Sequence, residues 1–358
     1  MISEFMKCSN KTLKFAVFAD LHYEKGMYVS SVNDLEQILD RACESDSAFV
    51  IHAGDFCNDY RRSPELTKNY LQNRYDLPAY GIYGNHELES RENCMAHVTP
   101  LLCNREVVWG TEDGNIGNGE IGYYYFDLQG FRIICLDSNY SLNPDTEEWE
   151  HNPTASWGAP AGNLKKDSLG DRQLNWLERV LQDAAEQELH CLIFSHMGFS
   201  GRWKSSPDTP TVQAMIRAVN ERRRGTVLLS VNGHLHTNHQ AVIDNVLHFD
   251  VNAVRNGLWL PTEQEHYGTM TYPFTDYDSE GAVIGRYDRP LSEAWMSKQT
   301  WYTAQPLSAI VTVSADGRIV IEGSQAQWYG GVVPDEQYCA DPQISNGSYQ
   351  LNINTEET

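Results

Sequence analysis

The sequence of this chain predicts an α/β fold, on three observations. Five short apolar runs, each followed by glycine or polar residues, have the character of strands buried on both faces. Segments with apolar residues at helical spacing alternate with these runs. The 358 residues are enough to bury a large core, and no internal repeat or linker divides them. We therefore expect one α/β domain.

Each of the five predicted strands ends in residue types that bind metal ions. The strands and the residues that follow them span 15–22, 49–55, 79–87, 191–196 and 227–236. In open α/β sheets, ligands bind just outside the carboxyl ends of strands, so we expect these ends to meet in one pocket. The set that would gather there is too large for one ion and about right for two. It consists of Asp20, His22, Asp55, Asn85, His196, His234 and His236.

Helix signals lie between and after the strands. Residues 31–34 have the pattern of a capping box, and an apolar stripe at helical spacing follows them. Pro64 begins a second, short helix, and Asp171 leads into a third. A fourth ends in the three arginines 222–224, followed by Gly225. Because basic side chains complement the dipole at a helix C-terminus, we interpret these arginines as a helix end rather than a binding patch.

Turn signals place two β-hairpins. Gln129-Gly130 separates two alternating segments within 122–137, and Asp316-Gly317 does the same within 309–322. Residues 246–251 have the pattern of a further single strand.

The domain is predicted to span residues 1–330. Within it, residues 139–170 and 256–305 have weak periodicity and are interpreted as long excursions, which in compact domains are often binding elements. The hairpin at 309–322 closes the domain. Residues 331–358 form a polar C-terminal tail, which we expect to be loosely attached.

The charge and composition of the chain limit the classes of substrate and partner that it can bind. The formal net charge is -22, which argues against a nucleic-acid-binding face and favours a small phosphorylated or nucleotide-like substrate. The first 14 residues lack the apolar stretch of a signal peptide, and no run approaches the roughly 18 apolar residues of a membrane helix. The eight cysteines form no C-x-x-C pair and are interpreted as reduced thiols. We therefore expect a cytoplasmic protein without a membrane partner.

The residue types at the strand ends have a chemistry of their own. Carboxylate, imidazole and amide oxygen together suit divalent metals such as Mn, Fe or Zn. Asp20 and His22 are two positions apart and can face the same side, as can His234 and His236. A carboxylate such as Asp55 has two oxygens and can bridge two ions. Metal pairs about 3.5–4 Å apart activate water and stabilise in-line displacement at phosphorus.

The motifs D-x-H, G-D, G-N-H-E, a lone H and G-H-x-H, in this order from Asp20 to His236, resemble the calcineurin-like metallophosphoesterase superfamily. The resemblance implies a four-layer α-β-β-α sandwich of two mixed β-sheets flanked by helices. It also implies an enzyme that hydrolyses a phosphate mono- or diester through a hydroxide bridging two metal ions.

The resemblance further implies a role for each residue. His86 would not be a ligand and would assist the leaving group. Asp55 would bridge the two ions, and Asn85 could also bind substrate. One metal would be held by Asp20, His22, Asp55 and His236, and the other by Asp55, Asn85, His196 and His234.

The position three residues after Asp55 departs from two subfamilies. Phosphoprotein phosphatases have an aspartate there and purple acid phosphatases a metal-binding tyrosine, but here it is Asn58, with Asp59 following. We therefore expect no tyrosinate charge transfer, and a His86–Asp dyad is disfavoured. The chain is similar to the broad bacterial-type phosphoesterases.

Several alternatives stay open at this level. Arg255 could bind a substrate phosphate, or it could form an ion pair. The protein could be a catalytically inactive, metal-bound interaction protein on the same scaffold, or it could hold a single structural zinc. The presence of both Asn85 and His86 argues against an inactive site, because a structural site has no use for a non-ligand histidine beside the ions.

Overall fold

Two mixed β-sheets with helices on their outer sides form the fold, as seen in a computed structural model of the chain. This confirms the predicted α/β class and the arrangement of two sheets that the resemblance implied. The structure describes residues 11–23, 29–57, 64–87, 102–110, 122–143, 145–151, 167–202, 204–259, 267–277, 283–293, 300–333 and 343–353.

The first sheet has six strands in the order β19-β18-β17-β1-β2-β3. Strands β1, β2 and β3 are parallel neighbours, and the other three strands run antiparallel to their neighbours. The strands are β1 (Thr12–Phe18), β2 (Val50–His52), β3 (Ala79–Gly81), β17 (Ala309–Ser314), β18 (Arg318–Gly323) and β19 (Gly347–Gln350).

The second sheet has seven strands in the order β11-β12-β10-β9-β6-β5-β4. Its centre, from β12 to β6, is parallel, and both edges are antiparallel. The strands are β4 (Val108–Trp109), β5 (Tyr124–Leu128), β6 (Phe131–Cys135), β9 (His190–Phe194), β10 (Val227–Asn232), β11 (His239–Ile243) and β12 (Val246–Asp250).

Four α-helices appear where the sequence predicts them. They are α1 (Val32–Glu44), α2 (Pro64–Leu71), α3 (Gly170–Glu186) and α4 (Thr209–Arg222). The capping box before α1 is confirmed, because the Asp34 N–H donates to Ser31 Oγ and the Ser31 N–H donates to Asp34 Oδ2. The arginines mark the end of α4 as predicted, since the helix ends at Arg222 and Arg223 is its C-cap residue. Arg222 pairs with Glu186, and Arg223 donates to the Leu189 carbonyl.

Two hydrophobic cores hold the layers together. The larger lies between the sheets, where the Phe15 and Phe49 rings stack 5.0 Å apart and Phe194 of the second sheet meets Phe15 edge-on. The smaller lies between the second sheet and helices α3 and α4, which contribute Leu177 and Ile216. Full burial of such side chains contributes roughly 1.5–3 kcal/mol each. The cores therefore fix the strands whose ends carry the site.

The later part of the chain has more structure than the sequence predicts. Both predicted hairpins are present, with Gln129 and Gly130 in left-handed backbone conformations. A third hairpin, β11–β12, turns at Asp244-Asn245. The expectation of a loosely attached tail is wrong for its strand β19, which pairs with β18 because Tyr349 and Leu351 pack on the core.

The two excursions contain short antiparallel pairs of strands. In the first, β7 (Tyr140–Leu142) pairs with β8 (Trp149–His151). In the second, β13 (Asn256–Trp259) pairs with β16 (Thr300–Tyr302), and β14 (Thr271–Tyr277) pairs with β15 (Val283–Pro290). Each pair forms a two-stranded sheet outside the two main sheets.

The sequence also gives expectations about membrane-spanning helices and about the cysteines. Within the described ranges, no helix has the length and apolar character that a membrane span requires. The cysteines there that carry free thiols are Cys43, Cys57, Cys103, Cys135 and Cys191.

Candidate metal centre

The carboxyl ends of the parallel strands bring the predicted ligands together. In the first sheet, Asp20 and His22 follow β1, Asp55 follows β2 and Asn85 follows β3. In the facing sheet, His196 follows β9, and His234 and His236 follow β10. Backbone bonding continues beyond β1 and β2, since the Asp20 N–H donates to the Gly54 carbonyl and the His22 N–H to that of Asp55. All seven side chains therefore meet at one edge of the sandwich, where the sequence predicts a pocket.

Left-handed backbone conformations mark this edge. Such conformations are uncommon for residues other than glycine and cost of order 1–3 kcal/mol when the surroundings enforce them. Strain of this kind clusters at functional sites. Five of the seven predicted ligands have positive φ: Asp20, His22, Asp55, His234 and His236.

One group of ligand atoms lies on the β1 side. His236 Nε2 is 3.1 Å from His22 Nε2 and 3.3 Å from Asp20 Oδ1. Asp55 Oδ2 is 3.5 Å from His22 Nε2. The atoms of Asp20, His22 and His236 all lie within 4.8 Å of one another, which is close enough to surround one ion.

A second group lies on the β9 side. Asp55 Oδ2 is 3.2 Å from His196 Nε2, and Asn85 Oδ1 is 3.2 Å from the same nitrogen. Asn85 Oδ1 is also 3.0 Å from His234 Nδ1. His196 Nδ1 lies 2.8 Å from the Ala53 carbonyl, which can only accept. In the neutral imidazole this contact leaves the lone pair on His196 Nε2, directed into the group, as in metal-bound histidines.

Asp55 belongs to both groups through the same oxygen. Its Oδ2 faces His22 on one side and His196 on the other, and its Oδ1 accepts the His86 N–H at 2.9 Å. The role of Asp55 as a carboxylate shared by two ions stays a prediction.

The electrostatics of the cluster follow from burial and close packing. Burial opposes the ionised form of Asp55, yet His196 and His86 hold its pKa well below the usual range. Burial lowers the pKa of His196, but the carboxylate of Asp55 outweighs it and raises that pKa to about 10. Burial and the proximity of His196 lower the pKa of His234. Among the described residues, carboxylates and imidazoles are the groups that converge in the cluster, and this donor set fits divalent cations.

His86 lies beside the shared carboxylate. Its Nε2 is 3.9 Å from Asp55 Oδ2, and its ring meets that of His22 edge-on with centroids 4.7 Å apart. The side chain is mostly buried, and a ring nitrogen of His86 lies within 4.8 Å of ligand atoms of His22 and Asp55, so these three residues form a further group that could surround an ion.

Arg255 requires a correction. The sequence offered a substrate phosphate or an ion pair, and the structure contains the ion pair: Nη2 lies 2.9 Å from Asp34 Oδ1. Nη1 donates to the carbonyls of Thr303 and Ala304. Because these partners engage a mostly buried guanidinium, the structure supports the ion pair rather than substrate binding for Arg255.

Glu87 is a site residue that the sequence analysis missed. It is fully buried, and its carboxylate accepts the backbone N–H groups of Asp55, Phe56 and Gly84. Burial, together with Asp55, raises the pKa of Glu87 to about 8, while these N–H groups favour the carboxylate. The available signal was its place as the last residue of G-N-H-E.

Asn58 and Asp59 both lie outside the described residues. The expectations about tyrosinate charge transfer and a His86–Asp dyad therefore stay predictions.

A family model described as "Calcineurin-like phosphoesterase" matches residues 13–238, more than half of the chain. The chain belongs to the calcineurin-like phosphoesterase family. The match contains all seven predicted ligands and His86, and it ends before the second excursion.

Two relatives and one solved structure are similar to this chain. Manganese-dependent ADP-ribose/CDP-alcohol diphosphatases from Arabidopsis thaliana and Xenopus tropicalis are 24% and 23% identical. The first match covers 69% of this chain and 83% of the relative, the second 51% and 67%. A dimetal phosphatase from Danio rerio superimposes with a TM-score of 0.53 at 15% identity, covering 87% of this chain and 95% of that chain. This calcineurin-like phosphoesterase is a metal-dependent hydrolase of phosphoric esters.

Proposed function

We propose that this phosphoesterase hydrolyses small nucleoside diphosphate esters at a two-metal centre. The observation that carries the proposal is the position of Asp55 Oδ2, 3.5 Å from His22 Nε2 in one group and 3.2 Å from His196 Nε2 in the other. The names of the two diphosphatase relatives support the choice of substrate class.

The residues present fit two divalent ions, with manganese, iron and zinc all compatible with the donors. Asp20, His22 and His236 would hold one ion, and Asn85, His196 and His234 the other, with Asp55 between them. When bound, such a pair activates water and stabilises negative charge on phosphoryl oxygens.

The protein's own groups have distinct tasks in this proposal. The His86 N–H holds Asp55 Oδ1, which directs Oδ2 toward both groups. The imidazole of His86, beside the shared carboxylate, would donate to the leaving oxygen as its bond to phosphorus breaks. The amide nitrogen of Asn85 would donate to a phosphoryl oxygen, while its Oδ1 faces the second group.

Charge supports a small substrate over nucleic acid. A chain with a net charge of -22 repels an extended phosphate backbone, whereas two bound cations attract one short anion locally. The cytoplasmic location stays a prediction from the sequence.

An assay of the purified, manganese-loaded protein tests the proposal. We expect turnover of ADP-ribose and of a CDP-alcohol to exceed that of nitrophenyl phosphate and its bis ester in kcat/KM. Turnover of the nitrophenyl esters alone would overturn the substrate class. No turnover of any ester, with two ions bound per chain, would instead support the inactive metal-bound interaction protein.

A further inference from the structure

Glu87 joins the turns that follow strands β2 and β3. Its Oε2 accepts the N–H of Asp55 at 3.0 Å and also that of Gly84, and its Oε1 accepts the N–H of Phe56. The side chain is completely buried. A single carboxylate thus holds backbone from both turns, one carrying Asp55 and the other carrying Asn85 and His86.

The two turns are packed directly against each other at this point. A Cβ added to Gly84 would lie 2.1 Å from Asp55 Oδ1 and 2.3 Å from the Asp55 backbone nitrogen. A side chain there would push the turns apart. The close approach of the turns therefore depends on glycine at position 84, and the carboxylate of Glu87 bonds across it.

The bonds around Asp55 show what this arrangement fixes. Its backbone N–H donates a hydrogen bond to Glu87, and its Oδ1 accepts one from the His86 N–H. Both ends of the residue are therefore tied to the β3 turn, and Oδ2 is the oxygen that faces His22 and His196.

We propose that Glu87 is a positioning residue for the metal pair, setting the place of the shared Asp55 carboxylate relative to Asn85 and His86. This inference rests on the proposed two-metal function. Residues that orient metal ligands typically change metal affinity or activity by about 10–100-fold when they are removed. Glu87 would act through the backbone of two ligands rather than through a ligand side chain.

Two substitutions of different severity test the role. Glu87→Ala removes all three acceptor contacts. Glu87→Gln keeps the volume and can keep an oxygen at the position that accepts two N–H groups, so it loses chiefly the bond from Phe56. We expect the apparent Kd for Mn²⁺ to rise about 10–100-fold in the alanine variant and clearly less in the glutamine variant.

A matched control separates positioning from general destabilisation. Asp208 is also a buried carboxylate that accepts a backbone N–H, from Leu169, together with the Ser168 hydroxyl. Asp208 lies before helix α4, and none of its bonds involves a candidate ligand. Asp208→Asn is therefore expected to lower the melting temperature while leaving Mn²⁺ affinity unchanged.

The decisive readout is the magnetic coupling between two bound Mn²⁺ ions, measured by electron paramagnetic resonance at saturating metal. We expect wild type and Asp208→Asn to share one spectrum, and Glu87→Ala to show altered coupling together with weaker binding. Unchanged coupling and affinity in Glu87→Ala would overturn the inference. Failure of the wild type to bind two coupled ions would instead overturn the proposed function.

Discussion

Two fully buried acidic centres of this protein show opposite ways of compensating a carboxylate. Asp34 accepts from the Arg255 guanidinium and from the N-cap residue Ser31. Within the described part of the chain, the side chain of Asp55, which is as deeply buried, contacts imidazoles and one backbone N–H. Buried charges are costly unless they are paired or coordinate a metal. In the first centre, the charge of Asp34 is already balanced by Arg255. The second centre, around Asp55, has the composition of a cation site.

Asp55→Asn should have the largest effect, because it removes one negative charge from the point shared by both groups. We expect kcat/KM to fall at least about 10³-fold, equivalent to roughly 4 kcal/mol of transition-state stabilisation. Steady-state kinetics and metal analysis would measure this. Asp34→Asn is the matched change at the other centre and should leave kcat unaltered; a large kcat loss there would contradict the contrast.

His86→Ala tests whether the histidine beside the shared carboxylate acts in chemistry rather than in metal binding. General acid–base groups contribute about 10²–10⁴-fold, so we expect kcat to fall by about 10³-fold with two ions still bound. A substrate whose leaving group needs no proton should lose much less. Loss of one ion in this variant would show that His86 is a ligand instead.

Arg255→Met tests the buried centre formed by Asp34 and Arg255. Removing one partner of a buried ion pair leaves an uncompensated charge, so we expect about 3 kcal/mol less stability against urea. Turnover per folded molecule should not change. A raised KM for an anionic substrate, with normal stability, would return Arg255 to the substrate-binding role that the sequence left open.

A smaller effect concerns acid sensitivity away from both centres. Burial lowers the pKa of His248 to about 4, below the value near 6.5 of an unfolded chain. As pH falls through 6.5, the unfolded state takes up the proton first, so stability decreases between about pH 6.5 and 4. His248→Gln should therefore reduce the loss at pH 5 by about 2 kcal/mol in metal-free protein. If the free energy of unfolding of His248→Gln depended on pH between 6.5 and 4 as that of the wild type does, the assignment of this acid sensitivity to His248 would be contradicted.

The sequence was sufficient for the site because its geometry is local to strand ends. Asp20, His22 and Asp55 each follow an apolar run, and parallel strands place such residues at one edge. The seven residues could thus be brought together without knowing the sheet order. Their assignment as ligands stays a proposal until ions are observed.

Features that depend on long-range partners could not be predicted. Arg255 meets Asp34 only because the chain returns to the start of α1 more than 200 residues later. Residues 347–351 have the polar composition of a tail. Their attachment depends on pairing with the distant strand β18 and on the packing of Tyr349 and Leu351 against the core, which local composition does not indicate. Glu87 is marked in the sequence only by its place in G-N-H-E, and because its partners are backbone N–H groups, that motif does not show what it contacts.

The most direct test is anomalous diffraction from crystals grown with Mn²⁺. Two peaks about 3.5–4 Å apart, each within coordination distance of an Asp55 oxygen, are the expected result. A single peak, or two peaks of which one lies away from Asp55, would contradict the account.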